Sequence, residues 1–137
     1  MATTNYDLIT GALQLLGVVA ETEQTSAEQG DLGLAVLNDM LEAWAEDDID
    51  VGQYPQTDLA AEWPGSPGTV GTVKSNLALY LAPHYQREPS PLVVAMASAG
   101  YQKLVRDLVS GQLQPLDMSH LHRGDGESDG TDILTGQ

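Results

Sequence analysis

The sequence predicts an all-α fold, a four-helix bundle-like domain with a long middle loop and an extended C-terminal arm. Three observations carry that expectation. Apolar residues recur every three or four positions in four separate stretches, the periodicity of one buried helix face. Capping residues stand at the ends of most of these stretches. Between and after them the composition changes, to Pro and Gly at 50–69 and to Gly and Asp beyond residue 111. The expected division is a helical domain at 1–111, containing loop 50–69, and an acidic arm at 112–137.

The first helix is expected over 5–16. Thr4 or Asn5 caps it, Asp7 suits its positive first turn, and Leu8, Ile9, Ala12, Leu13 and Leu16 make one face. Gly17 is placed to end it. The second is expected over 26–46, where Thr25-x-x-Glu28 and Ser26-x-x-Gln29 are overlapping capping boxes. Leu34, Leu37, Leu41 and Trp44 form its seam. Gly30 and Gly33 either admit a close neighbour or weaken the first turns.

The third helix is expected over 70–82, with Leu77, Ala78, Leu81 and Ala82 on one side. Pro83 lacks an N–H and biases Ala82 away from the α region, so it reads as a stop. The fourth is expected over 91–110, opened by Ser90 as N-cap and Pro91 at the first helical position. Its stripe is Val93, Ala97, Tyr101, Leu104 and Leu108, and Ala97 and Gly100 leave room for another helix. Gly111 reads as its C-cap. Loop 50–69 carries Tyr54-Pro55, Trp63-Pro64-Gly65 and Pro67-Gly68. Loops this long in a small domain are commonly functional. It is either a surface cover packing Trp63 onto the bundle or an arm reaching a neighbouring subunit.

A chain of 137 residues without Phe or Cys builds its core from Leu, Val, Ala and Met, and has neither disulfides nor thiolate metal sites. No apolar run approaches the roughly 18 residues of a membrane span. The N-terminus lacks the basic and apolar regions of a signal peptide. The net charge of −15, from 20 acids and 5 bases, disfavours phosphate neutralisation as a way of gripping nucleic acid. Spread along the chain, the charge reads first as solubility.

Asn76-Leu77-Ala78 and Leu81-Ala82-Pro83-His84-Tyr85 precede an Ala-rich stretch with Ala95, Ala97, Ala99, Tyr101 and Lys103. Upstream lie Tyr6-Asp7-Leu8-Ile9, Ala12-Leu13, Leu16-Gly17-Val18 and Leu41-Glu42-Ala43-Trp44. In order and spacing, residues 5–108 resemble the head-to-tail adaptor family of short-tailed bacteriophages, also called tail accessory or packaged-DNA stabilisation proteins. The resemblance implies a structural virion protein of the tail or neck, assembled in the host cytoplasm. It would form a twelve-fold homo-oligomeric ring below the portal protein, extend the DNA channel, and give a tail nozzle or other tail protein its platform. DNA would pass through an acidic channel without specific binding. Two departures from the family pattern are the short segment after the fourth helix and the scarcity of bases on helices one and four.

On this resemblance the arm is expected to be ordered by the portal, since its composition alone does not support folding. Its anchors would be Leu116, Met118, Leu121, Ile133 and Leu134, with Arg123 as a polar contact. Docking onto its own bundle is the other reading. Arg87, Lys103 and Arg106 pair either with Asp107 or Glu88 on the surface or with acids of the adjacent subunit. Those three and Trp63 are the candidate inter-subunit residues.

No catalytic residue, metal ligand or cofactor is assigned. His120 and His122, with Asp117 and Asp125 nearby, lack a third histidine other than His84. Asp125-x-Glu127-x-Asp129 opens like a calcium loop, but Gly136 stands where the bidentate Glu belongs. Arg123-Gly124-Asp125 is a chance tripeptide, and Glu46-Asp47-Asp48 with Asp50 reads as a solvated turn. Three alternatives stand beside the adaptor. One is a cell-wall hydrolase, for which Glu42 and Glu46 are the one carboxylate pair on a well-defined helix. The others are a head completion protein of the long-tailed phage type and an acidic nucleic-acid mimic.

Overall fold

The computed structural model describes residues 3–51 and 55–113, with side chains to residue 110. Four α-helices follow in order: α1 (Asn5–Leu16), α2 (Ala27–Glu46), α3 (Val70–Leu81) and α4 (Pro91–Leu113). Two 3-10 turns, Pro67–Thr69 and Ala82–Tyr85, flank α3. The described residues form no strand beyond one isolated antiparallel bridge between Thr4 and Glu62. The all-α expectation holds. The chain divides into two units, 1–106 and 107–137, so the division falls within α4. The buried apolar core belongs to the first unit.

Local signals set the limits of α1. Thr4 and Asp7 cap each other, Asp7 N–H donating to Thr4 Oγ1 and Thr4 N–H to Asp7 Oδ2, both at 3.1 Å. The Asn5 and Tyr6 N–H groups donate to the carbonyls of Ala61 and Leu59 at 3.0 and 2.9 Å. The middle loop thus satisfies α1's orphan donors. Gly17, at φ 76°, closes the helix in the left-handed conformation.

Of the two capping boxes that open α2, the Ser26–Gln29 pair is used. Thr25 is drawn inward instead. Its Oγ1 lies 2.7 Å from Thr10 Oγ1, and its backbone N–H donates to Tyr6 Oη at 3.0 Å. The buried face of α2 comprises Gly30, Gly33, Val36, Leu37, Met40, Leu41 and Trp44. It differs from the predicted seam: Val36 and Met40 are inside while Leu34 is only half-buried. Because α3 packs on both α1 and α2, the apolar stripe is wider than a two-helix seam.

Leu8, Ile9 and Leu13 of α1, Leu37 and Met40 of α2, and Val73, Leu77 and Leu81 of α3 form the fully buried centre. Gly33 makes the α1–α2 approach possible, since a Cβ there would run into Ile9 Cγ2. Gly100 does the same for α3 and α4 through Thr72. Asn76 Nδ2 then donates to the Ala97 carbonyl at 3.1 Å, a buried link between those helices. Ala97 and Gly100 are therefore small because α3 lies against them.

Two predicted boundaries are corrected. Pro83 does not force Ala82 out of the α region: Ala82 sits at φ −52°, ψ −47°. The α-ladder stops at Leu81, but the chain tightens into a 3-10 turn that accommodates Pro83 and turns away at Gln86, φ 53°. Gly111 does not cap α4, which runs on to Leu113. Ser90 is the expected cap at its start, its Oγ accepting from Val93 N–H at 3.3 Å.

Candidate functional site

Two helical faces among the described residues differ sharply in character. On α2 the exposed positions Glu28, Asp31, Ala35, Asp39, Glu42 and Glu46 recur at three- and four-residue steps. At 100° per residue they fall within a sector of roughly 80°, opposite the buried face. This face carries five carboxylates, and the whole helix has no Lys or Arg. The charge that reads as spread along the sequence is, on this helix, gathered into one stripe. The spacing was visible in the sequence, since only the helix period is needed to find it.

The fourth helix has the opposite character. Val93 and Ala97 are buried, and Tyr101, Leu104 and Leu108 half-buried, so the predicted stripe faces inward. Its outer face presents Leu92, Ala95, Met96 and Ala99, then Lys103 and Arg106. Leu92 is 68% and Met96 44% exposed. Lys103 and Arg106 are thus brought to one exposed face, as α4 requires of residues three apart. Arg87 stands apart from them, exposed, with its guanidinium beside Gly17.

Where the inner side of α4 meets α2, the rings of Tyr101 and Trp44 are tilted at 58° with centroids 5.6 Å apart. Tyr101 Oη donates to Asp47 Oδ2 at 3.1 Å. Burial, and then this bond and charge, push the Tyr101 phenol above its ordinary value. Tyr85 is pushed up by burial.

Trp63, a candidate for a neighbouring subunit, packs within its own chain. It is 5% exposed, and its Nε1 donates to Thr69 Oγ1 at 3.3 Å. The surface-cover reading of the loop is the one this geometry matches. Around it, Asn38 Nδ2 donates to the Gln56 carbonyl at 2.8 Å and Gln56 N–H to Asn38 Oδ1 at 2.6 Å. Asn5 Nδ2 donates to Gln56 Oε1 and the Asp58 carbonyl, both at 2.9 Å. Nothing in the sequence pattern paired Asn5, Asn38 and Gln56.

The arm residues Leu116, Met118, Leu121, Arg123, Ile133 and Leu134 lie outside the described residues, as do His120 and His122. Glu42 and Glu46 are exposed rather than set in an apolar pocket. Among the described residues, no group of three His, Cys, Asp or Glu is placed to hold a metal. No described helix is long and apolar enough to cross a membrane.

Comparison with known proteins adds one finding. A family model described as P22 tail accessory factor matches residues 1–127. No curated protein matches the chain. The match takes in all four helices, the middle loop and the segment after α4 as far as residue 127. The chain belongs to the P22 tail accessory factor family.

Proposed function

We propose that this chain is a head-to-tail adaptor that forms a ring below the portal protein of a short-tailed phage. The ring extends the DNA channel and gives a tail nozzle or other tail protein its point of attachment. Family membership already makes the chain a structural, virion-associated phage protein. That match over residues 1–127 is the observation that carries the adaptor reading. The role is geometric: helical faces supply lateral contacts, and the net negative charge of the chain lets a DNA duplex pass without sticking.

In this reading Arg87, Lys103 and Arg106 meet acids of the adjacent copy, and the arm at 112–137 engages the portal through Leu116, Met118, Leu121, Ile133 and Leu134, with Arg123. A chain carrying 15 net negative charges repels its own copies, so free subunits stay apart until the portal gathers them. The test is native mass of the chain alone and mixed with the portal of its own virus. A monomer or small oligomer that becomes a stoichiometric ring on the portal is expected, and a chain that ignores the portal overturns the reading. Replacing Leu121→Asp and Leu134→Asp weakens portal binding while helical content is unchanged.

A further inference from the structure

We infer that the acidic face of α2 is the lateral docking surface for the outer face of α4 on a second copy of this chain. The inference rests on the ring reading and names the two surfaces that would close the ring. Neither stripe can serve the other within one copy, because each lies on the side of its helix opposite the buried one. Two different surfaces of one chain that fit each other make a head-to-tail contact, the kind that generates rings.

Charge and shape both favour this occupant. Like charges three and four residues apart, as in Asp39, Glu42 and Glu46, repel along a helix. Nothing on α2 offsets them, since the helix contains no cation. Of the chain's five bases, two stand one turn apart on the outer face of α4. The spacings also register. Laid parallel with Lys103 beside Asp39, α4 brings Arg106 beside Glu42 and Ala99 against Ala35, the one exposed small residue inside the acidic stripe. From Glu28 to Glu46 the stripe runs about 27 Å, and Leu92 to Arg106 about 21 Å, at 1.5 Å per residue. The α4 face therefore fits along it. The small residues at the crossing allow close approach, and the opposed charges fix register more than they add affinity.

The experiment uses two full-length variants, one with Lys103→Glu and Arg106→Glu, the other with Asp39→Lys and Glu42→Lys. Ring formation on the cognate portal is followed by native mass, with helical content as the folding control. Each variant alone should need at least about tenfold more protein than wild type to form the ring. An equimolar mixture should recover it, since reversed α4 then meets reversed α2. A variant that assembles like wild type overturns the inference, and so does a mixture that gains nothing. If wild type itself forms no ring, the adaptor reading falls and takes this inference with it. If wild type forms rings and the variants are indifferent, only the interface falls. Because the chain has no cysteine, Ala35→Cys and Ala99→Cys copies give a second readout free of the charge changes. Mixed on the portal, they should cross-link to each other with a short bis-maleimide and not within either variant alone. Rings without that cross-link overturn the register.

Discussion

Replacing Gly33→Ala and, separately, Gly71→Ala tests whether the α1–α2 approach depends on a missing side chain. Both glycines are helical, and exchanging Gly for Ala in a helix interior gains roughly 0.5–1 kcal/mol of backbone stability. At Gly71 a Cβ would meet nothing within 4 Å, so that gain should appear nearly whole, reduced because the site is in the first turn of α3. At Gly33 the same methyl would overlap Ile9 Cγ2 and lie 3.1 and 3.2 Å from Ile9 Cγ1 and Cβ. Ile9 is fully buried and stiff at χ1, so it has no free direction in which to yield. Overpacking of this kind costs about 1–3 kcal/mol. Set against the backbone gain, Gly33→Ala should be destabilised by up to about 2 kcal/mol while Gly71→Ala is neutral to stabilised. Urea unfolding followed by helical signal measures the difference, with m unchanged in both variants. In a thermal melt each kcal/mol of that gap is worth roughly 4–8 °C for a domain near 100 residues. Equal stability of the two variants would refute the close approach, and with it the packing reason for glycine at position 33.

Three further outcomes are expected. Asn76→Ala removes the donor to the Ala97 carbonyl and should cost about 1–2 kcal/mol, with amide exchange accelerating in α4 more than in α1. Tyr101→Phe loses the bond to Asp47 and should cost less than about 1 kcal/mol at neutral pH. Because the folded phenol is raised above its ordinary value of 10.0, its contribution is whole below that pH and lost as pH rises through the folded value. The stability gap between wild type and Phe should therefore narrow in alkaline melts. Ser26→Ala should cost about 1 kcal/mol and Ser26→Gly only a few tenths, as for an N-cap. Equal losses in a denaturant titration would show that Ser26 does not cap α2.

What was legible in the sequence is what neighbouring residues decide. Thr4, Asp7 and Gly17 fix both ends of α1 without reference to anything distant, and Ser26 with Gln29 fixes the start of α2. The misreadings arise where a distant element intervenes or where the chain has a second local geometry open to it. Met40 and Val36 are buried because α2 faces two helices, which a seam of Leu and Trp does not reveal. Ala82 keeps helical angles because a 3-10 turn can take a proline where an α-turn cannot. For the candidate surfaces, the exposure of Lys103 and Arg106 follows from helix period alone, and the acidic stripe of α2 was readable by the same count. The burial of Trp63 was one of two readings the loop left open, because it depends on Thr69 and on loop–helix bonds that no local pattern announces.

Those bonds also decide where partner contacts can lie. The loop at 55–69 has the length usually associated with a binding arm, yet its polar groups are committed to its own chain. Ala61 and Leu59 carbonyls take the first two donors of α1, Trp63 N–H reaches the Thr3 carbonyl at 2.7 Å, and Gln56 is held by both Asn5 and Asn38. Swinging the loop out to a neighbour would expose the helix N-terminus and leave those groups to find water, while Trp63 gave up its buried site. Each of these hydrogen bonds exchanged for water would cost about 0.5–1.5 kcal/mol, and burial of one large side chain is worth about 1.5–3 kcal/mol. Within one copy the loop packs on the bundle and completes the start of α1. Among the described residues the acidic side of α2 and the outer side of α4 are exposed helical faces.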